Sequence, residues 1–146
     1  MHNHAEVYLE NLKDWKSQVE EILLPYDENL NTENGLFDWY QIGGRWTGSH
    51  GNYDPETDPL NFDEKGKLNW PALWVDHSSN IIAVENVDDE LTCATIFFDN
   101  TYFESSYWSD VKKDFVANKE FDGNVKKFLS KRGITTGFLV TVDYHS

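Results

Sequence analysis

Apolar and polar positions along this chain alternate between two periods, and the switches mark the expected elements. Ala5, Val7 and Leu9 alternate with Glu6 and Tyr8, which predicts a short first strand. Leu12, Trp15, Val19, Ile22 and Leu23 then recur at steps of three and four. Lys13, Asp14, Lys16, Gln18, Glu20 and Glu21 fill the other positions, so an amphipathic helix follows, with Asn11 as its N-cap. Pro25 lacks a backbone donor and disfavours helical geometry at Leu24, so the helix should stop there. Phe37 to Trp46 reads as the next strand, and Gly43-Gly44 inside it signals a bulge or a close backbone approach.

From Thr47 to about Asn69 the chain is rich in Gly, Asn, Asp and Pro, the composition of a surface excursion. Ala72 to Val75 and Ile81 to Val84 are short apolar runs that can add strands or cover an edge. Thr92 to Phe98 is a strong strand, Asp99-Asn100 a turn, and Thr101 to Glu104 a returning hairpin arm. Trp108, Val111 and Phe115 are spaced as one face of a helix that Ser106 or Ser109 opens. Val125, Phe128 and Leu129 continue the period past a weak point at Asp122-Gly123, and Gly133 suits the C-terminal cap. Thr136 to Tyr144 is the last strand. Phe138, Val140, Val142 and Tyr144 face the helices, and Leu139, Thr141, Asp143 and His145 face away. This order predicts an α+β chain built on a ferredoxin-like split β-α-β plan: an antiparallel sheet with two helices on one face. Residues 1–146 form one domain, and residues 47–90 are an acidic insertion within it.

Composition narrows the classes. Aromatic residues make up 15% of the chain, enough large apolar surface for a packed core. No apolar run approaches the length that spans a bilayer, and Met1-His2-Asn3-His4 lacks the features of a secretory signal, so a cytoplasmic protein is expected. The single cysteine, Cys93, leaves no internal disulfide and no multi-cysteine zinc site; mid-strand, it reads as a small buried residue. The net charge of −14 disfavours direct contact with nucleic-acid phosphates and suits solubility, a basic partner or a cation. Residues 50–90 hold ten Asp/Glu against two Lys, whereas residues 107–132 hold seven Lys/Arg against four Asp/Glu, so a basic partner meets the middle of the chain first.

Two segments carry a resemblance. Leu24-Pro25-Tyr26-Asp27-Glu28-Asn29 and Asp38-Trp39-Tyr40-Gln41-Ile42-Gly43-Gly44-Arg45-Trp46, together with a final Val142-Asp143-Tyr144-His145, resemble a family of uncharacterised phage and prophage proteins. That family pairs PYDEN with DWYQIGGRW, carries an aromatic-x-E hairpin element like Tyr102-Phe103-Glu104, and ends in V-D-x-H. The resemblance implies a phage or mobile-element origin and a ferredoxin-like core. It implies no chemistry, and the long acidic insertion and the first strand depart from the family pattern.

Asp27, Asp38, Glu104, Asp143 and His145 are the candidate cluster, because the expected topology gathers them at one end of the sheet. Carboxylates with an imidazole can bind a divalent cation or a small ligand, or do acid/base work; the plain alternative is caps, turn formers and exposed charges. Arg45 can clamp an anionic ligand or pair with an acidic loop beside Trp39 or Trp46. His2 and His4 suggest weak metal binding or a disordered terminus, and His50 and His77 are isolated. No phosphate loop, dinucleotide fingerprint or serine-nucleophile motif is present, and no cofactor is implied. Three readings follow, of which one is a structural or accessory protein with no site of its own; the other two use these residues. The first is a phage-type protein that contacts a basic host protein, such as a nucleic-acid-binding defence nuclease. In that reading Asp54, Glu56, Asp58, Asp63 and Glu64 imitate nucleic-acid charge, and Trp70 and Trp74, with Tyr53 and Phe62, act as anchors. The second is a small metal-dependent enzyme or nucleotide-like ligand-binding protein that uses the carboxylate–His cluster.

Overall fold

The computed structural model describes residues 1–51, 53–68 and 78–146. Along them run β1 (His2–Leu9), α1 (Trp15–Leu23), β2 (Trp39–Ile42), β3 (Ile81–Ala83), β4 (Thr95–Phe98), β5 (Thr101–Glu104), β6 (Ser106–Ser109), β7 (Asp114–Ala117), α2 (Val125–Lys131) and β8 (Phe138–His145). The fold is α+β, with one mixed sheet in the order β2-β8-β1-β4-β5. β1 and β8 pair antiparallel along their whole length, from His2↔His145 to Leu9↔Phe138. β1 pairs parallel with β4, which turns through Asp99-Asn100 into β5. Both turn residues have positive φ, 53° and 60°, the conformation a tight hairpin demands and Asp and Asn tolerate. Among the described residues no helix is long and apolar enough to cross a membrane.

The outer edge of β8 is shared by two short strands laid end to end. β2 pairs with Val142 to His145, and β3 pairs with Phe138 to Val140. The chain therefore leaves the sheet after Ile42 and rejoins it at Ile81, almost where it left. This closure explains the glycine pair. Gly43 (φ 75°) lies so close to Asn80 and Thr47, and Gly44 (φ 53°) so close to the Asp143 side chain, that neither position has room for a Cβ.

The sheet is covered on both faces, which corrects the expectation of two helices on one face. Val19 and Leu23 of α1 pack on Ala5, Val7, Leu9, Phe97, Val140 and Val142. Val125, Phe128 and Leu129 of α2 pack with Ile96 and Leu139, which point the other way from the same strands. The wholly antiparallel ferredoxin-like arrangement is also not what is seen, because β1 and β4 are parallel. The physical reason lies in β4 and β8: Ile96-Phe97 and Leu139-Val140 are consecutive apolar pairs, so both faces of the central strands need cover.

Several boundaries differ from the sequence reading: the first strand reaches back to His2, and the strand expected over Phe37 to Trp46 is confined to Trp39–Ile42, with Gly44–Trp46 in a 3-10 turn. α1 starts at Trp15, not beside Asn11; Asn11 Oδ1 instead accepts from the Lys13 backbone N–H (3.0 Å), and left-handed Asp14 (φ 48°) intervenes. Pro25 does end the α-helix, but the chain tightens into a 3-10 turn over Leu24–Tyr26 before it leaves. The helix expected from Ser106 or Ser109 is a hairpin, β6 and β7, with Trp108 directly opposite Phe115. α2 begins only at Val125, where Asn124 accepts from the Lys127 N–H (2.9 Å), and it ends near Gly133 (φ 70°). Residues Ala72 to Val75 lie outside the described residues.

Candidate functional site

In β1 the even positions His2, His4 and Glu6 point to the α2 side of the sheet, and in β8 His145, Asp143 and Thr141 stand opposite them. Near Tyr8 and Leu139 this face is apolar and lies under α2. The remainder is polar. Where β2 ends, the chain turns through a 3-10 segment, Gly44–Trp46, and passes over it. Trp46 stacks on His4 (5.5 Å between centroids, 18° between planes), and the His50 side chain is buried. The result is a row of three carboxylates, Glu6, Asp143 and Asp38, met by four imidazoles.

Glu6, at the inner end, is wholly buried. His4 Nε2 lies 2.5 Å from its Oε2, which also accepts from Thr141 Oγ1 (2.8 Å). His50 Nε2 is 3.1 Å from Oε1, close enough to pair electrostatically though off the hydrogen-bond direction, and 2.9 Å from Thr141 Oγ1. Burial by itself raises the Glu6 carboxyl, but the contacts from His4 and His50 outweigh it and hold it at about 2. Glu6 is thus a buried anion.

Asp143, the middle carboxylate, is also wholly buried. Its Oδ1 lies 2.9 Å from His2 Nδ1, and its Oδ2 accepts from the Arg45 backbone N–H (3.0 Å) and Gln41 Nε2 (3.4 Å). The approach of the Gly44 backbone makes this contact possible, so the Gly-Gly-Arg-Trp segment wraps Asp143. At the outer end His145 Nδ1 lies 2.7 Å from Asp38 Oδ1, and Trp39 stacks flat on His145 (5.5 Å, 4°). The hydrogen bond to His145 draws the Asp38 carboxyl below its ordinary value.

Of the five residues expected to cluster, Asp38, Asp143 and His145 are neighbours at one end of the β2–β8 pair. Asp27 acts as a turn former: its Oδ1 accepts from the Asn29 backbone N–H (2.9 Å) and from the Asn29 side-chain amide (3.1 Å), which also donates to the Asp38 carbonyl (2.8 Å) and so ties Asp27 to the start of β2. Glu104 does not join them. It sits opposite Thr95, whose hydroxyl meets Tyr144 on the α1 side of the sheet, and burial raises its carboxyl. Arg45 contributes its backbone N–H to the cluster. The sequence reading missed Glu6 and Thr141, and it set down His2 and His4 as weak metal ligands or a disordered terminus and His50 as isolated, whereas His2 and His4 lie in β1 and His50 meets Glu6. Their signal was the continuation of the β1 alternation back to His2, which sets His2, His4 and Glu6 on one face. Thr47 Oγ1 and both amide atoms of Asn80, at the closure of the excursion, are buried without a hydrogen-bond partner among the described residues.

Asp54, Glu56, Asp63 and Glu64 are exposed on the excursion, whereas Asp58 accepts from the Tyr53 hydroxyl (2.6 Å). Trp70, Trp74 and His77 lie outside the described residues. Glu85, Asp88, Asp89 and Glu90 add a second exposed acidic stretch before β4. Two broad, shallow grooves flank Trp46, one reaching His2 and Ser105 and the other Asp88 and Glu90. Among the described residues, no group of three or more His, Cys, Asp or Glu side chains is placed to hold a metal ion. The Cys93 thiol is buried, which pushes its pKa well up, and it donates to the Thr95 carbonyl (3.2 Å). Compared with known proteins, the chain matches no family model, no curated protein and no solved structure.

Proposed function

We propose that this protein works by binding a basic protein surface, with the excursion between β2 and β3 as its acidic face. The observation that carries the reading is the exposure of Asp54, Glu56, Asp63 and Glu64 on that excursion, with Glu85, Asp88, Asp89 and Glu90 exposed where it rejoins the sheet. Carboxylates held at the surface in turns present a field that steers a cationic partner. Together with the resemblance to phage proteins, this supports an anti-defence inhibitor that occupies the nucleic-acid groove of a host nuclease, for which a CRISPR effector is a suitable target.

The turn geometry sharpens the test. Asp54 Oδ1 and Asp63 Oδ1 each cap a turn, accepting from Glu56 N–H (3.0 Å) and from Lys65 and Lys67 N–H (both 2.9 Å). Reversal to Lys would break those turns, but Asn and Gln keep the acceptor and remove the charge. The variant D54N/E56Q/D63N/E64Q should therefore fold and lose most inhibition of DNA cleavage by such an effector, mainly through a slower on-rate. Wild-type inhibition should weaken as salt rises. Full inhibition by the neutral variant would refute the reading. A second reading, a nucleotide-like ligand or enzyme site, is favoured by the carboxylate–imidazole row beside the Trp46 grooves. It expects the neutral variant to stay active and His4→Ala to be inactive.

A further inference from the structure

We infer that the outer end of the β1–β8 pair is a chelating site for a borderline transition-metal dication, Zn²⁺, Ni²⁺ or Cu²⁺, with the imidazoles of His2 and His145 as its ligands. The two residues are direct cross-strand partners. Their ring centroids are 5.4 Å apart, with planes at 77°. Two imidazoles that share a tetrahedral metal, each nitrogen at about 2.0–2.1 Å, place their centroids about 5 Å apart. The pair therefore has the spacing that one ion requires.

The hydrogen bonds behind the rings decide which nitrogens carry the proton. In both histidines Nδ1 meets a carboxylate, Asp143 for His2 (2.9 Å) and Asp38 for His145 (2.7 Å). With each carboxylate oxygen as the acceptor, each Nδ1 carries the proton and each Nε2 is left with its lone pair. His145 Nε2 accepts from the Met1 ammonium (3.2 Å), a donor that an ion bound at this nitrogen must displace. A ligating histidine that donates its rear N–H to a carboxylate is the common support of metal sites, and it raises the basicity of the free nitrogen. The support is firm on the His2 side, where Asp143 is wholly buried and pinned by Arg45 N–H and Gln41. Trp39 braces the other side, stacked on His145 and edge-on to His2 at 5.2 Å.

The donor type selects the ion. Imidazole nitrogen suits Zn²⁺, Ni²⁺ and Cu²⁺, whereas Mg²⁺ and Ca²⁺ need oxygen ligands, and here the carboxylates are turned to the rear nitrogens. The net charge of −14 favours any cation. Two protein nitrogens leave the other coordination positions to water or to an exchangeable ligand. The site is therefore an open chelate, in keeping with the lack of any closed group of three ligands among the described residues. The inference does not depend on the binding role proposed above.

The test is titration of the tag-free full chain with ZnCl₂ and NiCl₂ by calorimetry, and with CuCl₂ by tryptophan fluorescence, where Trp39 reports on the site. We expect one ion per chain at micromolar concentrations, quenching that is reduced in Trp39→Phe, and no response to MgCl₂. His2→Ala and His145→Ala should each weaken binding more than about 10-fold, and Asp38→Ala, which leaves both ligands in place, by about 10–100-fold. Asp143 is buried and its replacement risks the fold, so Asp38, at the surface, carries the test of the rear hydrogen bond. The inference is overturned by the absence of saturable binding, or by binding of undiminished affinity in folded His2→Ala or His145→Ala.

Discussion

At the scale of single residues, the most consequential group is Glu6. A carboxylate with no exposure to water would ordinarily hold its proton, since desolvation penalises the charged form. Here the contacts from His4 and His50 outweigh that penalty, and its pKa falls to about 2. The sign of the pH effect follows. A folded-state pKa below the unfolded value of about 4.5 contributes stability that is complete above pH 4.5 and is lost as pH falls toward 2. A shift of this size corresponds to a few kcal/mol, of the order of 3. Thermal melts between pH 7 and pH 2.5 should therefore show the wild type losing stability steeply below pH 4.5. Glu6→Gln should start lower at pH 7 and show a shallower loss over the same interval. Parallel curves for the two proteins would mean that Glu6 is not the titrating group. Composition offers no hint of this residue. It is one acidic side chain among many, and only pairing of Glu6 with Thr141 across the sheet, with His50 arriving from the excursion, makes it special.

At the scale of elements, agreement and failure have distinct causes. The β4–β5 hairpin, the strand at β8 and the apolar faces of both helices were legible, because in each the local turn residues and the burial period agree. So was the close backbone approach at Gly43-Gly44. The hairpin β6–β7 was not, because Trp108, Val111 and Phe115 satisfy a helical spacing by coincidence: Trp108 and Phe115 are seven apart in sequence and directly opposite in the ribbon. The contrary signal was the residue types of Ser106-Tyr107-Trp108-Ser109 and Asp114-Phe115-Val116-Ala117, aromatic or β-branched at Tyr107, Trp108, Phe115 and Val116 where a helix wants Leu, Ala or Glu. The two faces of the sheet were also misassigned, since a single strand's alternation cannot say how many layers cover it. The ribbon holds Tyr107, Trp108, Val111 and Phe115 exposed, with Trp108 edge-on to Phe115 at 5.4 Å. Its strands belong to a sheet of their own, apart from the six-stranded one. Trp108→Ser with Phe115→Ser should therefore lower Tm by only a few degrees, about 1 kcal/mol of lost ring contact and exposed-strand packing. Phe128→Ala, inside the α2 core where the ring meets Phe98, Phe103 and Phe121, should cost about 3–5 kcal/mol. Comparable losses in the two proteins would show that the ribbon is packed into the main core.

At the scale of the whole molecule, the governing quantity is the charge of −14 on one small folded chain. Bringing like charges together opposes folding, and the unfolded chain relieves it by spreading them apart. The opposing attractions do not cancel this at the surface. Lys126–Asp89 and Lys127–Asp122 are exposed pairs, of the kind that contributes little once solvent screens it. The histidine contacts of Glu6 lie inside the protein, where salt screens little. Raising salt from about 10 mM to about 150 mM shortens the screening length from about 30 Å to about 8 Å, which removes most of the repulsion between distant acids and leaves the buried pairs intact. Tm should therefore rise with NaCl over that range. D54N/E56Q/D63N/E64Q removes four of the negative charges, taking −14 to −10, while the new amide oxygens accept the same turn hydrogen bonds that Asp54 and Asp63 accept in the wild type. This variant should melt higher than the wild type at low salt and converge with it at high salt. The same substitutions are expected to weaken association with a basic partner, so stability and binding should move in opposite directions. A variant that loses binding because it misfolds would instead lose both, and a wild-type Tm that falls as NaCl is added would show that attraction, not repulsion, dominates the surface.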